Sequence, residues 1–89
     1  MPYQIIVNPK CEKEISKACK KNPMTCIAIQ NKMRQIAENP LRYKPLKYDL
    51  YGENRVHIMK SFVLKFIIDE NNEIITFISF GHHDEAYKS

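Results

Sequence analysis

The sequence predicts an α+β fold: one sheet with a two-helix hairpin on one of its faces. Three observations predict it. Residues 3–7 are a short β-branched run, two later segments carry helical apolar spacing behind Asn-Pro pairs, and three runs near the end read as strands. Eighty-nine residues accommodate one domain, 1–89.

The opening strand, residues 3–7, stops at Asn8-Pro9. Asparagine there can cap a helix, and proline at the first helical position gives up no needed hydrogen bond. Cys11, Ile15, Ala18 and Cys19 then recur at helical spacing, leaving Lys10, Lys13, Lys17, Lys20 and Lys21 for the solvent side. Asn22-Pro23 repeats the signal. Cys26, Ile29, Met33, Ile36 and Ala37 form the stripe of a second helix, which ends at Asn39-Pro40. So tight a break predicts an antiparallel hairpin.

Residues 41–54 follow neither period and predict an ordered loop leading into the sheet. In residues 55–58, Val56 and Ile58 alternate with Arg55 and His57, so the two polar side chains share a sheet face. A turn at Lys60-Ser61 leads into residues 62–68, with Phe62, Leu64 and Phe66 on one side and Val63 and Lys65 on the other. Residues 69–72 are a polar hairpin turn. Residues 74–80 are apolar at both parities, as in a central strand, and Gly81 is expected to break the run. The predicted order is an N-terminal strand, an antiparallel helix pair, then a three-stranded antiparallel meander in one mostly antiparallel sheet.

Apolar residues make up 44% of the chain, enough for a folded body. Fourteen Lys and Arg against ten Asp and Glu leave a net charge of +4, which suits an anionic partner or an idle basic surface. No run approaches the roughly 18 to 20 apolar residues of a membrane span. Met1-Pro2-Tyr3-Gln4 lacks the pattern of a secretory signal, so the expected compartment is the cytoplasm, without a membrane partner. The odd cysteine count (Cys11, Cys19, Cys26) points to reduced thiols. No Cys-x-x-Cys occurs and the histidines lie far along the chain, so neither a metal site nor a cofactor is expected.

Particular words in the sequence go further. Asn39-Pro40-Leu41-Arg42, then Lys44-Pro45-Leu46, and the descent through Leu50, Gly52 and Arg55-Val56 resemble the linker of RelE/ParE toxins. Phe80-Gly81-His82-His83-Asp84-Glu85-Ala86-Tyr87 resembles the family's terminal phrase. The resemblance implies a RelE-like fold and the toxin of a type II toxin–antitoxin pair: a metal-independent, ribosome-dependent mRNA endonuclease. Its implied partners are a cognate antitoxin and the ribosome with mRNA in the A site. Three departures stand out. A lysine often present on the first meander strand is replaced by Arg55 or His57, depending on register. Phe62-Val63 replaces a common Tyr-Arg, and His83 replaces the arginine of the terminal phrase. The alternative left open is a non-catalytic, ParE-like gyrase inhibitor or an inactive antitoxin-binding member.

Cleavage in this family, as the resemblance implies, turns the ribose 2′-hydroxyl against its own phosphate. Histidine, with a reference pKa of about 6.5, can act as acid or base there. The implied roles are His83 protonating the leaving oxygen, His57 as general base, Arg55 and Lys65 holding the phosphate, and Tyr87 stacking on a base. Lys10, Lys13, Lys17, Lys20, Lys21 and His82 are candidate RNA contacts. Each has a plainer reading. Arg55 and Lys65 can solvate an open sheet face, His57 can pair across strands, His82 can pack, and Tyr87 can pin a terminal segment. The first-helix lysines can pair locally with Glu12 and Glu14.

Overall fold

Two asparagines organise the helical layer. In a computed structural model, which describes residues 3–43 and 53–82, strand β1 spans Gln4–Val7 and helix α1 spans Pro9–Lys21. The Asn8 side chain accepts a 2.8 Å hydrogen bond from the Cys11 N–H, with Pro9 in the first turn. Lys20 and Lys21 in the last turn complement the helix dipole. Asn22 then serves both helices. Its N–H donates to the Ala18 carbonyl at the end of α1, and its side chain accepts from Met24 N–H at the start of α2, Pro23–Glu38. Pro40–Tyr43 form a 3-10 turn where the sequence predicts loop. Residues 44–52, the remainder of that predicted loop apart from Glu53 and Asn54, lie outside the described residues.

Three antiparallel strands follow: β2 Glu53–Ile58, β3 Phe62–Asp69 and β4 Ile74–His82. The spatial order is β1-β4-β3-β2, with β1 parallel to β4. β4 is thus central, as its apolar character at both parities predicts. Tyr3 stays outside the opening strand, because its N–H donates to the Ala37 carbonyl. β2 begins two residues before the predicted Arg55. Gly81 does not end β4: it lies opposite Val63, and His82 lies opposite Phe62, so pairing with β3 carries the strand past it.

The core forms on one face of the sheet. Cys11, Ile29, Ile36 and Ala37 from the helices meet Ile58, Leu64, Phe66, Ile75, Phe77 and Phe80. Phe66 and Phe77, opposite each other in the register, bring their ring centroids to 5.6 Å, and Phe62 stacks on Phe80 at 5.2 Å. Thr25, also buried, directs its hydroxyl at the Met59 sulfur, 3.4 Å away. That contact ties α2 to the β2–β3 turn.

The two hairpin turns differ. Between β2 and β3, Met59 and Lys60 both adopt left-handed backbone (φ 52° and 65°), a conformation that glycine or asparagine normally supplies. Between β3 and β4, the Asp69 carboxylate accepts from the Asn72 N–H at 3.1 Å and the Asn72 side-chain amide at 2.9 Å. These bonds hold the Asp69 pKa below its usual value.

A register shift lies between Lys65 and Phe66: Lys65 faces Ser79 but Phe66 faces Phe77, leaving Ile78 as an extra residue in β4. It lets Phe77 and Phe80 both face the helices although their positions differ in parity.

Candidate functional site

The sheet face away from the helices carries the predicted cations. Arg55 and Lys65 are direct cross-strand partners, so their side chains project from the same face. His57, two residues on from Arg55 and opposite Val63, joins them there. Glu53, two residues before Arg55, completes the row. Its carboxylate lies 3.7 Å from the Arg55 guanidinium and 3.9 Å from the Lys65 ammonium. The Arg55 side chain is 43% exposed and that of Lys65 20%, so the lysine is the more enclosed of the two.

Glu53 is the residue that sequence reasoning missed. It shares parity with Arg55 and His57, a signal hidden by assigning residue 53 to the preceding loop. Its charge offsets part of the positive field that Arg55 and Lys65 would present to a phosphate. The arrangement thus combines two fixed cations, one imidazole and one carboxylate on the sheet face opposite the helices.

Val63, where the resemblance leads one to expect arginine, is only 1% exposed although its position faces away from the helical core. It is not part of the main hydrophobic cluster. Its cross-strand neighbours are His57 and Gly81.

His82 falls elsewhere. Its register opposite Phe62 sets it at the end of the core face, and its ring meets Phe62 edge-on at a centroid distance of 5.8 Å. Packing against an aromatic ring therefore accounts for part of its environment. His83 and Tyr87 lie outside the described residues.

Lys10, Lys13, Lys17, Lys20 and Lys21 are all exposed along α1. Lys13, Lys17 and Lys20 line a shallow groove with Pro9, Glu12 and Ser16. Since α1 packs on the opposite face of the sheet from Arg55 and Lys65, the fold presents two separate basic surfaces. Among the described residues, no three His, Cys, Asp or Glu side chains cluster so as to hold a metal ion. No described helix is long and apolar enough to cross a membrane.

A family model described as "ParE toxin of type II toxin-antitoxin system, parDE" matches residues 8–87. The chain belongs to this toxin family. A relative from Methanocaldococcus jannaschii, named "Putative toxin RelE4", is 44% identical to this ParE-family chain over 86 residues, 97% of this chain and 92% of the relative. In fold, the family member resembles the toxin–antitoxin complex RelBE2 from Mycobacterium tuberculosis, with a TM-score of 0.74 and 20% identity over 93% of this chain and 100% of the other. A metal-bound toxin from Helicobacter pylori gives a TM-score of 0.73 and 21% identity, covering 96% and 99% of the two chains. At these identities the structures establish a shared fold. The RelE/ParE resemblance read from the linker and the terminal phrase is confirmed.

Proposed function

We propose that this toxin is a metal-independent endoribonuclease that cleaves messenger RNA in the ribosomal A site and is held silent by a cognate antitoxin. The observation that carries the reading is the pairing of Arg55 with Lys65 on the sheet face opposite the helices, with His57 beside them. In the proposed reaction His57 takes the proton from the 2′-hydroxyl as that oxygen attacks the adjacent phosphorus. Arg55 and Lys65 offset the charge gathering on the phosphate oxygens. The bond to the 5′ oxygen breaks, His83 supplies its proton, and a cyclic phosphate remains on the upstream fragment. Tyr87 stacks on a neighbouring base. The ribosome contributes substrate orientation, so free RNA is a poor substrate. The lysines of α1 engage RNA phosphates away from the reacting group.

Primer extension on ribosome-bound message tests this with wild type, His57→Ala, Lys65→Ala, His83→Ala and Tyr87→Ala. Loss of an acid or base lowers cleavage by about 100- to 10,000-fold. Identical cut patterns at equal rates from all five proteins would remove the proposed site.

One observation favours a second reading, in which the toxin inhibits gyrase without cutting RNA. Buried Val63 occupies the position where the resemblance expects the family's usual arginine. Expression in cells separates the two. Cut messages with rapid loss of translation support the nuclease, and filamentation with DNA damage supports the gyrase inhibitor.

A further inference from the structure

Three cysteines lie in the helical layer, all as free thiols, but their settings differ. Cys11 is sealed in the core beneath the sheet. Cys19 and Cys26 are only partly covered and flank the single-residue break at Asn22, three residues before it and four after it. Those are the positions at which two helices folding back on each other first meet. Ile15, one helical turn before Cys19, lines the same interhelical groove as Cys26, so the Cys19 stripe of α1 faces the Cys26 stripe of α2.

We propose that Cys19 and Cys26 are a dithiol site that a low-molecular-weight disulfide oxidises to an intramolecular bridge, stapling α1 to α2 beside the hairpin tip. The step is thiol–disulfide exchange. One protein thiolate attacks the reagent disulfide and releases one reagent thiol. The second protein thiolate then attacks the mixed disulfide, forms the Cys19–Cys26 bond and releases the other reagent thiol. Two protein thiols are oxidised, one reagent disulfide is reduced to two thiols, and the two protons lost by the cysteines end on the released thiols. Burial first, and then interaction with Cys26, pushes the Cys19 thiol up to about 11. The same effect keeps Cys19 protonated at neutral pH, so the reaction is slow there and accelerates with rising pH.

The site has a convenient internal map. Lys20 and Lys21 lie between the two cysteines, so trypsin separates the segment bearing Cys19 from the segment bearing Cys26 unless a disulfide joins them. The folded, reduced full chain is incubated with oxidised glutathione, quenched in acid, and read by intact mass, free-thiol count and tryptic map. The expected result is loss of two thiols, no retained glutathione and a joined Cys19–Cys26 peptide pair, with Cys11→Ala behaving the same way. Cys19→Ser and Cys26→Ser should each retain glutathione as a mixed disulfide on the remaining thiol. Any of four results overturns the proposal: no thiol loss, a stable glutathione adduct on the wild-type chain, a bridge involving Cys11, or covalent dimers.

Discussion

The Glu14 carboxylate on α1 accepts a 3.1 Å hydrogen bond from the backbone N–H of Phe80 in β4. The contact falls just after the extra residue Ile78, where the strand ladder is out of step. A helix side chain thus satisfies a partly buried backbone donor at a flaw in the sheet. It also clamps α1 to the central strand.

Removing that acceptor leaves the donor without its partner. Glu14→Ala is expected to destabilise the fold by about 1–3 kcal/mol, and Glu14→Gln, which retains an acceptor oxygen, by clearly less. Urea unfolding midpoints of the three proteins check this. Equal losses in both variants would mean that the bond contributes through charge alone.

Glu53 opposes the cationic pair on the sheet face away from the helices. Glu53→Gln is expected to tighten binding of single-stranded RNA and steepen its salt dependence, by up to about 0.7 in the log–log slope for each further phosphate engaged. Stability should change by less than about 1 kcal/mol, since these ion pairs are partly solvated. Binding titrations across a salt series give the slope. An unchanged slope would show that Arg55 and Lys65 do not meet phosphate.

The β2–β3 turn stores backbone strain at Lys60, which is exposed and left-handed. A non-glycine residue in that region costs on the order of 1–2 kcal/mol, partly offset by the greater freedom glycine has when unfolded. Lys60→Gly is therefore expected to stabilise the protein by about 0.5–1 kcal/mol. Thermal melts are sufficient to detect it, and a lowered midpoint would contradict the assignment.

Burial, reinforced by Glu14 and opposed by Lys10, pushes the Cys11 thiol up to about 11 from an ordinary 9.0. The folded chain therefore keeps a proton that the unfolded chain loses between those values. The resulting stability is complete below pH 9 and drains away as pH rises through about 11. Comparing wild type with Cys11→Ala isolates this from lysine and tyrosine titration. The difference in unfolding free energy between them should fall across the window. A constant difference would show that the thiol titrates alike in both states.

The legible parts of the fold were those written in local chemistry. Asn8-Pro9 and Asn22-Pro23 marked helix starts because capping acts within a few residues. Parity within residues 55–58 set Arg55 and His57 on one face, and parity within 62–66 set Lys65 apart from the phenylalanines, because a strand alternates strictly. What escaped was non-local or lacked a signature. Nothing near Glu14 announces a partner in β4, and Met59-Lys60 turns left-handed without a glycine or asparagine. Gly81 looked like a stop, but its neighbours in β3 kept it in the ladder. Glu53 was hidden because the predicted strand starts two residues late, at Arg55. The family words in residues 44–52 and the candidates His83 and Tyr87 lie outside the described residues, so their roles rest on the proposed reaction.

The parallel seam between β1 and β4 joins the earliest strand to the latest. Until Ile74–His82 has been synthesised, Gln4–Val7 has no ladder to enter and the inner edge of β3 stays bare. Such long-range closure is slow relative to local hairpin formation. The Arg55–Lys65 pair therefore belongs to a hairpin that can form early, while the sheet that fixes its surroundings closes last, on the long-range seam between β1 and β4.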